Sequence, residues 1–129
     1  MNLNALDKAF SIFIRLRDSH DGIVCCISCG KLVHWKESDC GHYINRKHMA
    51  TRFDEDNCNA QCRSCNRFDE GNIQGYRKGL IQKIGEKSVD MLEIKKFNIC
   101  KISQVEVNWL TKYYKKKILE MKKLKYLVF

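Results

Sequence analysis

Seven residue positions in this chain carry types and spacings that can do chemistry. Cys26-x2-Cys29, in CISCGK, and Cys62-x2-Cys65, in CRSCN, are two Cys-x2-Cys pairs joined by one loop. Tetrahedral Zn2+ takes four thiolates, and two such knuckles facing each other supply them with little strain. A site closed by four sulfurs is structural, because no position is left for a water to activate. Cys25 stands beside Cys26, so Cys25-x3-Cys29 is a second possible pairing; the two-residue spacing is the commoner and favours Cys26. Cys40, Cys58 and Cys100 have no spaced partner and read as small apolar fillers.

The remaining three, Asp39, His42 and Asn66, are not explained by a closed zinc. Asp39 and His42 follow the first knuckle in DCGHYI, and Asn66 directly follows Cys65, so zinc fixes its backbone. Should the two elements pack, Asp39 and Asn66 offer hard oxygens to one Mg2+, with Mn2+ as the alternative. His42 would stand beside the ion as a general base for water, since imidazole titrates near neutral pH. The chemistry implied is one-metal hydrolysis of a phosphodiester. The competing reading keeps these residues as local hydrogen-bonding groups in a zinc module.

The elements that must position these groups follow from the pattern. Leu6, Ala9, Phe10, Phe13 and Leu16 recur at helical spacing and predict an amphipathic helix over 4–18, ended by His20-Asp21-Gly22. IVC and LVHW predict two short strands around the first knuckle, with Gly30 supplying the turn. DCGHYI predicts a further strand, 46–58 a polar loop, and a helix is expected from Ala60 with CRSCN in its first turns. Residues 73–96 read as helical, broken at Gly79 and Gly85. Ser103-x2-Glu106 is a capping-box pattern for a last helix over 104–124, whose apolar stripe is Val107, Leu110, Tyr114, Ile118 and Met121. The expectation is an α+β fold and a single domain over 1–129: an N-terminal helix (1–22), a zinc-bound core (23–72) and a helical C-terminal region (73–129).

The chain has 129 residues and a formal net charge of +9, with a pI near 9.2. A core this small gains from a metal staple, and the charge favours a polyanionic partner. Eight cysteines in a sequence whose start shows no continuous apolar stretch are expected in a reducing, cytoplasmic compartment, as metal ligands before disulfides. No stretch approaches the roughly 18 apolar residues of a membrane span, and no small-molecule cofactor is expected. Arg46, Lys47, His48 and Arg52 beside the DCGHYI strand, with Arg63 and Arg67 on the helix expected to bear Cys62 and Cys65, form a candidate bed for a nucleic-acid backbone. Tyr76 and Arg77 read equally as DNA contacts or as packing residues. The lysines of the last helix read equally as contacts for a DNA arm or as its wet face.

Zinc knuckles around a strand–loop–helix, with Asp and His before and Asn after, resemble the ββα-metal (HNH-type) nucleases. Asp39-x2-His42 with Cys62-x2-Cys65-Asn66 is similar to the junction-resolving endonuclease VII type. The resemblance is strongest to the NinG/Rap recombination nucleases of lambdoid phages and prophages. It runs through CISCGK, DCGHYINR, TRFDEDNCNAQCRSCN and GNIQGYRKGLIQKIGEKSVDMLE into the final helix, roughly over 5–123. It implies an HNH-like core and a structure-selective endonuclease acting on branched DNA such as Holliday junctions and D-loops, leaving a 5′-phosphate and a 3′-hydroxyl. It also implies that Asn57 ties the loop to the catalytic strand. Two symmetric cuts suit a two-fold homodimer. Two other readings stay open: a non-catalytic zinc module that binds nucleic acid, and an HNH nuclease acting on linear duplex.

Overall fold

The computed structural model describes the backbone of residues 1–128 and the side chains of residues 1–125. Helix α1 (Asn4–Arg17) is followed by β1 (Ile23–Cys25) and β2 (Leu32–His34), an antiparallel pair that carries the first knuckle at its turn. A 3-10 turn (Trp35–Glu37) leads into β3 (Ser38–His42). A short helix α2 (Met49–Arg52) lies in the following segment, and β4 (Cys58–Cys62) returns antiparallel to β3. A π-helical turn (Ser64–Phe68), α3 (Ile73–Ile84), α4 (Glu86–Lys95) and α5 (Gln104–Val128) complete the chain. The fold is thus mixed α+β, with two small two-stranded sheets among helices. Among the described residues no helix is long and apolar enough to cross a membrane.

Three expectations need correction. The segment from Ala60 is not the start of a helix: Cys58–Cys62 is a strand, and helical backbone begins only after it. This strand shows no alternation, because all five of its residues are buried. Its polar members are satisfied inside: Gln61 donates to Ser28 and to the Gly71 carbonyl, and Asn59 donates to the Tyr76 hydroxyl. The 46–58 loop contains α2. Gly79 does not break its helix, since α3 runs through it to Ile84; only Gly85, at φ +88°, separates two helices. Gly30 adopts φ +78°, the left-handed conformation its knuckle turn requires.

Two apolar clusters hold the β3–β4 ribbon. On one side α1 and α5 pack together through Leu6, Phe10, Phe13, Ile14, Val107 and Tyr114, and Cys58 joins them from β4. Phe10 and Tyr114 meet edge-to-face at 5.0 Å, an arrangement worth about 1 kcal/mol beyond its buried area. The predicted stripe of α5 faces this core, with Leu110, Ile118 and Met121 at its margin. Its cap forms as the sequence suggests, the Glu106 N–H donating to Ser103 Oγ at 3.1 Å. On the other side Tyr76 and Leu80 of α3 and Val89 and Leu92 of α4 pack with Tyr43 and Ile44. Tyr76 is fully buried and its hydroxyl donates to the Gly41 carbonyl at 2.7 Å, while Arg77 pairs with Asp90 and Glu93. Tyr76 is therefore a packing residue of α3, and Arg77 braces α3 against α4.

Candidate functional site

The two knuckles meet. Cys26 and Cys29 come from the β1–β2 turn, Cys62 from the end of β4 and Cys65 from the π turn, and their four sulfurs lie within 4.8 Å of one another. A Zn–S bond of about 2.3 Å in a tetrahedron requires S···S edges of about 3.8 Å. Cys29 Sγ and Cys62 Sγ stand 3.7 Å apart, so the donor set fits zinc with little movement. Backbone and side-chain donors already point at the sulfurs: Cys65 N–H at Cys62 Sγ (3.4 Å) and Asn72 Nδ2 at Cys65 Sγ (3.3 Å). Such bonds orient and stabilise metal thiolates. Cys25 is exposed and lies against the Gly30 carbonyl, outside this set, which settles the choice in favour of Cys26.

The knuckle is seated on α3 at two glycines. A Cβ at Gly79 would lie 2.0 Å from the Ile27 carbonyl oxygen, and one at Gly75 2.3 Å from that of Ser28. Main chain therefore rests directly on helix there, and no side chain can intervene.

Asp39 and Asn66 also come together. Asn66 Nδ2 donates to Asp39 Oδ2 at 3.0 Å, so the two candidate oxygen donors are neighbours across the β3–π-turn junction. Arg67 closes a two-point ion pair on the same carboxylate, Nε to Oδ2 at 2.8 Å and Nη2 to Oδ1 at 2.9 Å. Burial pushes the Asp39 carboxyl up, but the hydrogen bonds from Arg67 and Asn66 outweigh it and hold its pKa below the ordinary value. The donor types suit a hard cation, provided Arg67 moves off and the Asn66 amide turns its oxygen inward.

His42 ends β3, and its Nε2 lies 2.9 Å from the Arg52 carbonyl. A carbonyl only accepts, so Nε2 carries the hydrogen and Nδ1 keeps its lone pair. Burial, reinforced by the charges of Arg46 and Arg52, lowers the His42 pKa below the usual imidazole value, favouring the neutral base. Asn57 is wholly buried and spans the loop: it accepts from Ile44 N–H (2.8 Å) and donates to the carbonyls of Ile44 (3.1 Å) and Thr51 (3.0 Å). It thereby fixes the backbone just after His42 against the segment that carries Arg52.

Two adjoining clefts, of about 310 and 760 Å3, share Cys40, His42, Arg46 and Asn66. The smaller one adds Asp39 and Arg67, with Asp7 from α1; the larger adds Lys47 and His48. Arg52 and Arg63 line neither. Arg52 is held by Asp7 at 3.1 Å through Nε, with a second bond through Nη2, and Arg63 pairs with Glu37 at 2.9 Å. Asp7 therefore organises the basic rim from a distant helix, and nothing in its sequence context signals that. The β3–β4 register places His42 opposite Cys58, bringing Cys40, His42 and Cys58 together. Read as fillers, these cysteines have no spacing that announces the cluster; only the strand pairing does.

No solved structure matches this chain. The curated relatives include the proteins named ninG of Escherichia phage 933W (41% identical), Escherichia phage lambda (40%) and Salmonella phage P22 (41%), each aligned over 87 residues. The aligned part is 67% of this chain and 41% of each relative, so the chain spans well under half the length of those proteins. The family model described as Bacteriophage Lambda NinG protein matches residues 3–125, nearly the whole chain, which therefore belongs to the NinG family.

Proposed function

We propose that this chain is a metal-dependent, structure-selective endodeoxyribonuclease with an HNH-like core, cutting branched DNA such as Holliday junctions and D-loops in the cytoplasm of a bacterial host. The observation that carries the reading is the convergence of His42, Asp39 and Asn66 on one cleft under a basic rim. Asp39 and Asn66 would hold Mg2+, or Mn2+, which when bound would stabilise charge on the scissile phosphate and the leaving oxygen. His42 accepts the proton of the attacking water at Nδ1, while the Arg52 carbonyl keeps the ring in that tautomer. Asn57 is a positioning residue, holding the Ile44 backbone beside His42. Arg46, Lys47, His48 and Arg67 contact the DNA backbone. Arg52 acts one step back, through Asp7, while Arg63 pairs with Glu37 and also stands 3.9 Å from Asp39 Oδ1.

One observation favours a second reading, a non-catalytic zinc module that binds nucleic acid: both Asp39 oxygens are already engaged by Arg67. Cleavage of an end-labelled four-way junction beside a linear duplex of the same sequence, with Mg2+ or EDTA, separates the readings. The expected result is Mg2+-dependent cutting of the junction alone, reduced roughly 10²-fold or more in His42→Ala with DNA binding and the four-cysteine zinc retained. Tight binding without cutting in Mg2+ or Mn2+ would leave the zinc module as the function. Equal cutting of the duplex would make it a nuclease without branch preference.

A further inference from the structure

We propose that Cys40, His42 and Cys58 form a second metal site, open on one side and selective for a thiophilic divalent cation such as Zn2+, and that an ion held there withdraws His42 from catalysis. The second half of this inference rests on the nuclease reading; the first does not.

The ligand atoms of these three residues lie within 4.8 Å of one another. The ladder explains why. His42 pairs with Cys58, and Cys40 follows two residues back along β3, so all three side chains share one face of the ribbon. Two sulfurs and one imidazole are a soft to borderline donor set, which takes Zn2+ and discriminates against Mg2+. The structural site uses the far end of the same ladder, where Cys62 pairs with Ser38. The two sites therefore share no ligand.

Three protein ligands leave the fourth tetrahedral position open. Both clefts are lined by Cys40 and His42, so an ion and a solvent ligand can enter from them. Binding releases two thiol protons to solvent and leaves a complex of two thiolates, one neutral imidazole and one cation. The imidazole lone pair that becomes a metal bond is no longer a base. The catalytic ion and the inhibitory ion would thus differ in hardness, one preferring Asp39 and Asn66 and the other the sulfur face of β3.

The test starts from protein carrying one equivalent of zinc, titrated with Co2+ while thiolate-to-cobalt charge-transfer absorption is recorded. A second equivalent should bind with the weaker charge-transfer intensity of two thiolates. Cys40→Ala, at a partly buried position, and His42→Ala should each abolish this second equivalent and keep the first. One equivalent in all, or a second that survives both substitutions, overturns the site. In Mg2+-dependent junction cleavage, zinc beyond one equivalent should inhibit, and Cys40→Ala should need at least about tenfold more zinc for the same inhibition. Equal sensitivity of the two proteins overturns the inhibitory role. A chain that cuts no junction overturns the nuclease reading and the inhibitory role with it, while the cobalt count still decides whether the site exists.

Discussion

Asp18 shows what a single buried charge does here. Its carboxylate accepts the Ala60 N–H at 2.8 Å and pairs with Arg17 at 2.9 Å and Lys83 at 3.0 Å, tying the end of α1 to β4 and α3. Burial raises its pKa, but Arg17, Lys83 and the Ala60 N–H outweigh that and hold it below the ordinary carboxylate range. A depressed folded-state pKa stabilises the protein above the unfolded value of about 3.9, and that stability is lost as pH falls through the folded value. Asp18→Asn should cost about 2 to 4 kcal/mol near neutral pH, because it takes the ion-pair partner from the partly buried Arg17, which keeps only its bonds to the Glu55 and Cys58 carbonyls and Asn59. The difference from the native chain should shrink as urea denaturation is repeated from about pH 6 down to about pH 3. A cost that does not change over that range would refute the account. At this scale the metal-type residues were legible and their supports were not. A Cys-x2-Cys knuckle is written in local spacing, so Cys26, Cys29, Cys62 and Cys65 stand out in the sequence. Asp7 and the Cys40–Cys58 pair act through long-range packing and strand register, which leave no local signature.

Elements behave likewise. The helices were legible where a stripe and a cap coincide, as in α5, with Val107 and Tyr114 inward and Ser103 at the cap. β4 was missed because Cys-Asn-Ala-Gln-Cys has neither β-branched residues nor alternation; tertiary hydrogen bonds to Ser28 and Tyr76 decide it instead. Gly79 reads as a break in sequence because a glycine in a helical pattern usually costs about 1 kcal/mol and suggests an end. Here it marks a close approach of helix to main chain. Gly79→Ala should therefore lose more by displacing the Ile27 carbonyl than it gains in helix propensity. We expect a net destabilisation of about 1 to 3 kcal/mol, read as a lowered urea midpoint. An unchanged or raised midpoint would show that the knuckle can lift off α3 freely.

For the whole molecule, the four-cysteine cluster brings together a two-stranded turn, the end of the central ribbon and a π turn. Each is too short to persist alone. Chelation should therefore abolish the cooperative thermal transition, read by far-ultraviolet circular dichroism, and zinc should restore it. A transition kept within about 3 °C of the zinc-loaded protein would mean that the helical clusters on either side suffice. The ribbon between those clusters has five residues a side and is fastened at both ends, at Cys62 by the metal cluster and at Ile44 by the Asn57 clamp. A slip of one residue would turn His42 to the opposite face and part it from both the Arg52 carbonyl and the cleft. The two fastenings work as the stops of a ruler. They fix a length of chain, and with it the distance from the four-cysteine cluster to the imidazole, so that the scaffold's first product is a measured spacing.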